Sequence, residues 1–428
     1  MSEHVEFGLE VHQNPYLPEG GEEAEAIVRV TATEQGSGAG AAAAQVIVVD
    51  CSGSMSSPET KIEQARRATA AAIDTLRDDV HFAVVAGSRE AKVVYPRSQE
   101  LSTVTATTRA EAKEAVARLD PGGGTAIGEW LAQANRLLAD HQDKICHAIL
   151  LTDGKNEHET DEDLDAALAA CAGRFSCDAR GVGADWDPEE LRKVTSELLG
   201  SWDLVREPAH LEADFRAMAQ QAMRKAVTGV MLRLWTPRDA TVPLFKQVEP
   251  TIEDVTSRRV EVDARSGDYP TGSWGRESRD YHVRVRVNPG DVGDEVLAAR
   301  VSVVAHSPED LDAEVLTQGL VRALWTADPA LSSPIDPTVA HYTGQEELHE
   351  VIQRALQARD DGDMDAAGAW FRQALERGDE LGRTDTVNLV QSVFNPATGA
   401  VRRDDEKEGD RLNAIELDRR SSKTTPLR

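Results

Sequence analysis

The sequence predicts an α/β doubly wound, Rossmann-like domain accompanied by an all-β sandwich and a C-terminal α-helical hairpin. Three observations lead to this fold class. Short apolar runs alternate with amphipathic helical segments in the first half of the chain, strand-like segments between Pro and Gly turns follow, and helical periodicity comes last. With 428 residues and 40% hydrophobic side chains, the chain can form about two or three domains.

The α/β domain is predicted over residues 43–206. Its strand candidates are nearly continuously hydrophobic, as expected for a parallel sheet that is covered on both faces. They are QVIVVD, HFAVVAG, AKVVYP, HAILLTD, CDARGVG and SWDLVRE. After the first of them, Ile62, Ala65, Ile73 and Leu76 repeat at helical spacing. The alternation of strands and helices predicts a doubly wound sheet.

The all-β sandwich is predicted over residues 228–330, where strand candidates are separated by turn residues. Residues 1–35 contain two further strand candidates, which are too few to be stable by themselves. We therefore expect these N-terminal strands to complete the later sandwich, which makes the β domain discontinuous in sequence. The TEQGSGAGAAAA stretch is a predicted linker into the α/β domain.

The C-terminal part predicts a helical hairpin over residues 344–396, with Gly362 and Asp363 at the break between its helices. The second helix is similar to that of a tetratricopeptide repeat. A solenoid needs about three repeats, so we expect a docked hairpin and keep peptide binding as the lesser alternative. Residues 402–428 have few apolar side chains and are predicted to be disordered.

Charge and composition limit the classes of partner. A formal net charge of −28 disfavours nucleic acid and anionic membranes, because binding to both relies on Lys and Arg. No segment reaches the roughly 20 apolar residues that span a bilayer, and no basic, apolar leader is recognisable. The four cysteines lack the paired spacing of a zinc site and suggest reduced thiols. These observations predict a soluble, cytoplasmic protein.

Hydroxyl and carboxylate side chains recur where the predicted strands end. Asp50, Ser52 and Ser54 follow the first strand in DCSGSM, Thr125 follows the glycines of PGGGT, and Asp153 closes HAILLTD. Because the carboxyl ends of parallel strands meet at one sheet edge, the five side chains predict a set of oxygen ligands. Such a set suits a hard divalent cation, Mg²⁺ first, with Mn²⁺ and Ca²⁺ as alternatives.

Each of these residues also has an ordinary structural interpretation. Ser52 and Ser54 could cap a helix that begins near Pro58, and Thr125 could cap the helix that follows it. Asp153 and the glycine after it form a common turn dipeptide. The metal-site hypothesis therefore depends on the five residues occurring together.

In order and spacing, these residues resemble the metal-ion-dependent adhesion site (MIDAS) of the von Willebrand factor A (VWA) and integrin I-domain family. The resemblance implies that Ser52 and Ser54 bind the metal directly and that Thr125 does so in a ligand-engaged state. It also implies that Asp50 and Asp153 act directly or through water. A Glu or Asp of a partner protein would then complete the coordination, which implies an interaction module and not an enzyme.

The chain also resembles cytoplasmic actinobacterial VWA proteins that are associated with Ser/Thr kinases, protein phosphatases and FHA proteins. This resemblance implies an adaptor or scaffold in signalling. The alternative is a VWA partner of a separate MoxR- or chelatase-type AAA+ ATPase, since this chain has no G-x-x-x-x-G-K-[ST] motif of its own. Adhesion to an extracellular ligand is disfavoured by the missing leader.

Two further features near the site have competing interpretations. Ser52, His158 and Asp153 could be imagined as a hydrolytic triad, but CSGSM departs from the G-x-S-x-G nucleophile elbow. An acidic run from Glu157 to Asp163 follows the Asp153 loop. We interpret it mainly as a helix start, where acids suit the helix dipole, and keep a rim of the metal site as the alternative.

Overall fold

The computed structural model describes residues 5–34, 41–57, 60–305, 313–403 and 408–427. Half of the predicted linker, residues 35–40, and the predicted helix start at Pro58 lie outside these residues. The helices are α1 (Thr60–Thr75), α2 (Ala106–Val116), α3 (Ile127–Leu138), α4 (Asp161–Cys171), α5 (Pro188–Glu197), α6 (Leu211–Ala222), α7 (Pro329–Ser332), α8 (Pro337–Asp360), α9 (Met364–Glu380), α10 (Thr384–Val393) and α11 (Glu408–Ser421).

The strands complete the list of elements. They are β1 (Val5–His12), β2 (Tyr16–Pro18), β3 (Glu23–Glu34), β4 (Ala43–Asp50), β5 (His81–Gly87), β6 (Ala91–Tyr95), β7 (Ser102–Thr103), β8 (Ile145–Thr152), β9 (Ser176–Val182), β10 (Trp202–Val205), β11 (Val230–Trp235), β12 (Thr241–Glu249), β13 (Glu253–Asp254), β14 (Val260–Asp263), β15 (Ser266–Pro270), β16 (Glu277–Arg286), β17 (Glu295–Ala305), β18 (Glu314–Thr326), β19 (Phe394–Asn395) and β20 (Ala400–Val401). They belong to two compact units: Ser37–Thr228, and Glu3–Gly36 with Gly229–Arg428.

The first unit, Ser37–Thr228, is an α/β domain with a sheet in the order β10-β9-β8-β4-β5-β6. Strands β10, β9, β8, β4 and β5 are parallel, whereas β6 and the short β7 pair with β5 in the antiparallel sense. Every residue of β4 and β8 is buried, which explains their continuous apolar sequences. The chain proceeds from β4 to one side and later returns to the other, so a topological switch point lies between β4 and β8.

Helices α1, α2 and α6 share one hydrophobic core with the sheet, to which β4 contributes Ile47 and Val49. Helix α6 buries Leu211, Phe215 and Met218, which recur at the spacing of one helix face. The α/β unit therefore extends beyond the predicted boundary at residue 206, because α6 is part of its core.

The second unit contains two sheets in the orders β1-β3-β16-β12-β13 and β14-β15-β11-β17-β18-β2. The N-terminal strand β3 pairs with β16 over ten register positions, from Glu277 opposite Ala32 to Arg286 opposite Glu23. The two sheets meet through aromatic side chains. Phe245 of β12 lies 4.4 Å from Tyr269 of β15, measured between ring centroids. Residues 5–34 thus belong to the same unit as the later strands.

The helices of the second unit extend beyond the hairpin predicted over residues 344–396. Helix α8 begins earlier, at Pro337, because Asp336 accepts hydrogen bonds from the N–H groups of Thr338 and Val339. Helix α9 is followed by a separate α10, and Gly382 between them has a φ of +66° that favours glycine. The additional helices are thus more than a hairpin.

The disorder predicted over residues 402–428 was wrong for Glu408–Ser421, which form α11. Leu417 is fully buried, and Ala414 belongs to the same hydrophobic cluster as Phe371 of α9. A few apolar residues on one face suffice here because that face packs against other helices. Among the described helices, none combines the length and apolarity needed to cross a membrane.

Candidate functional site

The candidate site lies at the carboxyl ends of β4 and β8, which are neighbours in the sheet. Asp50 is the last residue of β4, and Asp153 directly follows β8; both are fully buried. The N–H of Asp153 points to Asp50 Oδ2 at 3.4 Å. Two carboxylates that are distant in sequence thus meet at the switch point, where doubly wound folds bind ligands.

The loop after β4 brings two serine hydroxyls to these carboxylates. Ser54 Oγ donates to Asp153 Oδ1 at 2.6 Å, and Ser52 Oγ lies 2.9 Å from Ser54 Oγ. Ser52 stands at the N-cap of the short 3-10 turn Gly53–Ser56, but its side chain does not cap that turn. The capping interpretation of Ser52 concerned a helix start near Pro58, which lies outside the described residues. Ser52 is buried and Ser54 is exposed, so the site opens to solvent beside Ser54.

Asp50 fixes the shape of this loop. Its Oδ1 accepts the N–H of Ser52 at 2.7 Å, and its Oδ2 accepts the hydroxyl of Thr152 at 2.7 Å. Burial raises the pKa of Asp50 to about 6, although the hydrogen bonds from Ser52 and Thr152 oppose that change. An adjacent positive charge would favour the ionised form of this carboxyl group.

A second loop, with the sequence PGGGT, lies against the serine loop. The N–H of Gly53 donates to the carbonyl of Gly123 at 3.0 Å, and the N–H of Gly122 donates to the carbonyl of Cys51 at 2.7 Å. These main-chain bonds hold Thr125, which is buried, beside the serines. A Cβ built on Gly154 would lie 3.2 Å from Ser54 Oγ and 3.5 Å from Thr125 Oγ1. The two hydroxyls therefore converge on a space that a glycine leaves open.

Thr125 is also tied to the loop that follows β8. Its N–H donates to His158 Nδ1 at 3.2 Å, and its carbonyl accepts the N–H of His158 at 3.0 Å. His158 thus positions Thr125, whereas Ser52 has Ser54 as its hydroxyl neighbour. The imagined triad of Ser52, His158 and Asp153 does not correspond to these hydrogen bonds.

The N-terminus of α3 is capped by this same loop and not by Thr125. The N-cap position belongs to Ala126, which offers no side-chain acceptor. Instead, Asn156 Oδ1 accepts the N–H of Ile127 at 2.9 Å, and Glu159 Oε1 accepts the N–H of Gly128 at 2.7 Å. The structure thus brings together all five candidate residues and leaves the hydroxyl of Thr125 free of a capping role.

Comparison with known proteins identifies the family. A family model for the von Willebrand factor type A domain matches residues 44–202. A solved structure described as von Willebrand factor type A from Catenulispora acidiphila is 46% identical, covers 100% of this chain and 98% of its own, and superposes with a TM-score of 0.93. The chain belongs to the von Willebrand factor type A family.

Two further relatives show how far the VWA similarity extends. The ArnB paralog VWA2 from Sulfolobus acidocaldarius covers 98% of both chains with a TM-score of 0.56, at 12% identity, and so shares the fold. An uncharacterized protein of Synechocystis is 29% identical over 232 residues, which are 53% of each chain. This chain thus spans about half the length of that curated relative.

One charged residue of the candidate site was not predicted from the sequence. Lys61 of α1 places Nζ 2.7 Å from Asp153 Oδ2 and 3.6 Å from Asp185 Oδ2, with its side chain only 11% exposed. Asn156 and Glu159 were likewise not predicted as capping residues. In all three cases the partners are distant in sequence, so no local pattern indicates the contact. The acids of Asp161–Asp163 do lie in the first turn of α4, where Thr160 and Asp163 form a capping box.

Proposed function

We propose that Asp50, Ser52, Ser54, Thr125 and Asp153 form a MIDAS that holds a divalent cation, Mg²⁺ or else Mn²⁺ or Ca²⁺. The observation that carries this proposal is the hydrogen-bonded row from Ser52 through Ser54 to Asp153, next to Asp50 and Thr125. Hard divalent cations prefer oxygen ligands of these types.

The chemistry of the donor set fits such a cation. Within the described ranges, no group of three or more His, Cys, Asp or Glu side chains is placed to hold a metal ion. A cation here would therefore depend on the hydroxyls of Ser52, Ser54 and Thr125. Each hydroxyl carries lone pairs besides its proton, so it can turn from a hydrogen-bond donor into a ligand. Gly154 keeps the space between Ser54 and Thr125 open.

In the proposed mechanism, Ser52 and Ser54 would hold the cation directly, and Thr125 would be a further direct ligand in a partner-engaged state. Asp50 orients the serine loop through its bond with the N–H of Ser52, and Asp153 orients Ser54. Both carboxylates would bind the cation directly or through water. A bound cation would supply positive charge, to which a Glu or Asp of a partner protein would coordinate. Because the three hydroxyl ligands are neutral, the cation would keep much of its positive charge.

We further propose that the chain is a cytoplasmic adaptor or scaffold, with a kinase, a phosphatase or an FHA protein as its partner. Four free, buried cysteines support a reducing compartment. In this proposal the two-sheet unit is a β-sandwich, and α8 and α9 are a hairpin docked on it. The alternative partner is a separate AAA+ ATPase of the MoxR or chelatase type, whose acidic residue would meet the same cation.

Isothermal titration with Mg²⁺ and Mn²⁺ tests the metal site. Ser54→Ala should reduce affinity by about tenfold or more, since it removes a neutral ligand from a small set. Ser57→Ala is the matched control, because Ser57 is exposed in the same loop. If wild type binds neither cation, or if the two variants bind equally, the five residues do not form the proposed site.

Affinity capture tests the adaptor role. Wild type and Asp50→Ala, both verified as folded by circular dichroism, are used as bait with Mg²⁺ or with EDTA. A metal bridge requires that capture is lost with EDTA and with Asp50→Ala. A kinase, phosphatase or FHA protein among the captured proteins supports signalling, and an AAA+ protein supports the alternative. Capture that ignores both changes rules out a metal-bridged partner.

A further inference from the structure

Lys61 is the charged neighbour of the candidate site. Its ammonium lies 2.7 Å from Asp153 Oδ2, and the side chains of Lys61 and Asp153 are 11% and 0% exposed. The second contact of Lys61, with Asp185 Oδ2 at 3.6 Å, involves a carboxylate that is 74% exposed. The buried partner therefore dominates, because an exposed carboxylate is screened by water.

The two oxygens of Asp153 face different groups. Oδ1 accepts the hydroxyl of Ser54 at 2.6 Å, and Oδ2 accepts the ammonium of Lys61 at 2.7 Å. One carboxylate thus joins the hydroxyl set to a fixed positive charge. A buried carboxylate without a partner is strongly unfavourable, so the ammonium stabilises Asp153 whenever no cation is bound.

We propose that Lys61 is a built-in counter-ion that lowers the affinity of the site for its divalent cation. The inference rests on the proposed metal site. Of the two carboxylates that face the hydroxyls, Asp50 and Asp153, the second already shares its charge with Lys61. The ammonium therefore offsets one of two negative charges and also repels an incoming cation. A cation held this way is less neutralised by the protein, which leaves more of its charge for the partner's carboxylate.

A counter-ion role and a purely structural role of Lys61 predict opposite changes in metal affinity when Lys61 is replaced. If Lys61 only braced α1 against the loop after β8, its removal would disturb the ligands and weaken metal binding. If it acts as a counter-ion, removal of its charge strengthens metal binding. It also lowers stability most when no metal is present, because Asp153 then loses its only cation partner among the described residues.

The experiment compares Mn²⁺ affinity in the full chain by isothermal titration for wild type, Lys61→Met and Lys61→Gln. Glutamine is neutral but can still donate a hydrogen bond to Asp153, so this variant guards against loss of folding. Both variants should bind Mn²⁺ about tenfold more tightly than wild type. Lys113→Met is the matched control, because Lys113 pairs with Asp74 at 2.7 Å on an exposed face; its affinity should equal that of wild type.

Thermal unfolding supplies the second measurement. With EDTA, Lys61→Met should unfold at a lower temperature than wild type, and saturating Mn²⁺ should remove most of that difference. Unchanged or weaker Mn²⁺ binding by Lys61→Gln overturns the counter-ion role while leaving the metal site intact. Absence of Mn²⁺ binding by every protein, wild type included, overturns the metal site and this inference with it.

Discussion

Gly154 shows how a single missing side chain shapes the candidate site. A Cβ at this position would stand between Ser54 Oγ and Thr125 Oγ1, at 3.2 and 3.5 Å. The backbone there does not require glycine, since Gly154 does not have a positive φ. Its role is therefore to leave room, and larger residues would push the two hydroxyls apart.

Gly154→Ala should therefore weaken Mn²⁺ binding by about tenfold, because displaced ligands lose coordination geometry. We expect only a small change in the free energy of unfolding. Titration calorimetry and urea unfolding measure the two quantities. Gly122→Ala is the control, because a Cβ on Gly122 would have nothing within 4 Å. Equal affinities for the two variants would show that the space at Gly154 does not matter.

The loop after β8 joins two elements of the α/β unit. Asn156 and Glu159 cap the N-terminus of α3, and Asn156 Nδ2 also donates to Glu159 Oε1 at 2.7 Å. Since Thr125 lies just before α3, the same contacts hold the threonine hydroxyl near the serines. Capping of this helix is therefore coupled to the geometry of the site.

Glu159→Ala should lower the free energy of unfolding by about 1 kcal/mol, since it leaves the N–H of Gly128 without its acceptor. It should also weaken Mn²⁺ binding by displacing Thr125. Urea unfolding and titration calorimetry check both effects. Glu157→Ala is the control, because Glu157 is exposed in the same loop. If Glu159→Ala lowers stability but leaves Mn²⁺ affinity unchanged, capping of α3 is not coupled to the geometry of the site.

In the second unit, His282 connects β16 to α8. Its Nε2 lies 2.8 Å from Glu25 Oε1 and its Nδ1 lies 2.6 Å from Glu346 Oε1. A ring with a carboxylate at each nitrogen can donate to both only when it carries two protons, so this arrangement favours the protonated form. Burial lowers the pKa of His282, but the bonds with Glu25 and Glu346 outweigh burial and raise it. Lys246 and Arg284 also contact these carboxylates.

The stability of this unit should therefore fall as the pH rises above 6.5, the ordinary pKa of a histidine side chain. A raised pKa in the folded state stabilises the protein below the unfolded value near 6.5 and loses that contribution as pH passes the folded value. The pKa of Glu25 is lowered to about 2, mainly by the hydrogen bond from His282. The stability that this carboxylate contributes is therefore lost only as the pH falls toward that value. Urea midpoints between pH 5 and 9 should decline for wild type and stay flatter for His282→Gln. If the urea midpoints of wild type and His282→Gln change with pH in parallel, protonation of His282 does not stabilise this unit.

The elements show why some features could be predicted from sequence and others could not. Asp50, Ser52, Ser54, Thr125 and Asp153 directly follow strands or precede a helix, so local patterns predict where they meet. Lys61 lies on a helix with many charged neighbours, and its partner is 92 residues away. Helix α11 was missed because its few apolar residues gain their burial only from other helices. Contacts between distant segments left no local pattern in either case.

At the scale of the whole molecule, the two units differ in what a cation can stabilise. The candidate ligands all lie in Ser37–Thr228. A ligand that binds only the folded state at 100 times its Kd stabilises that state by about 2.7 kcal/mol. The loops after β4 and β8 should therefore gain most from metal.

Hydrogen exchange with and without saturating Mn²⁺ measures this difference along the chain. We expect slower exchange in the segments around Ser52–Ser54, Thr125 and Asp153. Wild type treated with EDTA and Ser54→Ala with Mn²⁺ should both lack the added protection. Protection that is absent from these loops but present elsewhere would place the cation outside the proposed site.

The pairing of β3 with β16 also bears on how the chain is made. Strand β3 ends at Glu34, whereas β16 begins only at Glu277. During synthesis from the N-terminus, the ribosome therefore completes the whole of Ser37–Thr228 before β3 meets this neighbour. Domains generally fold as units while the chain emerges. The α/β unit can thus mature first, and the nascent β1–β3 hairpin must wait with the β16-facing edge of β3 unpaired, where a chaperone would be most useful.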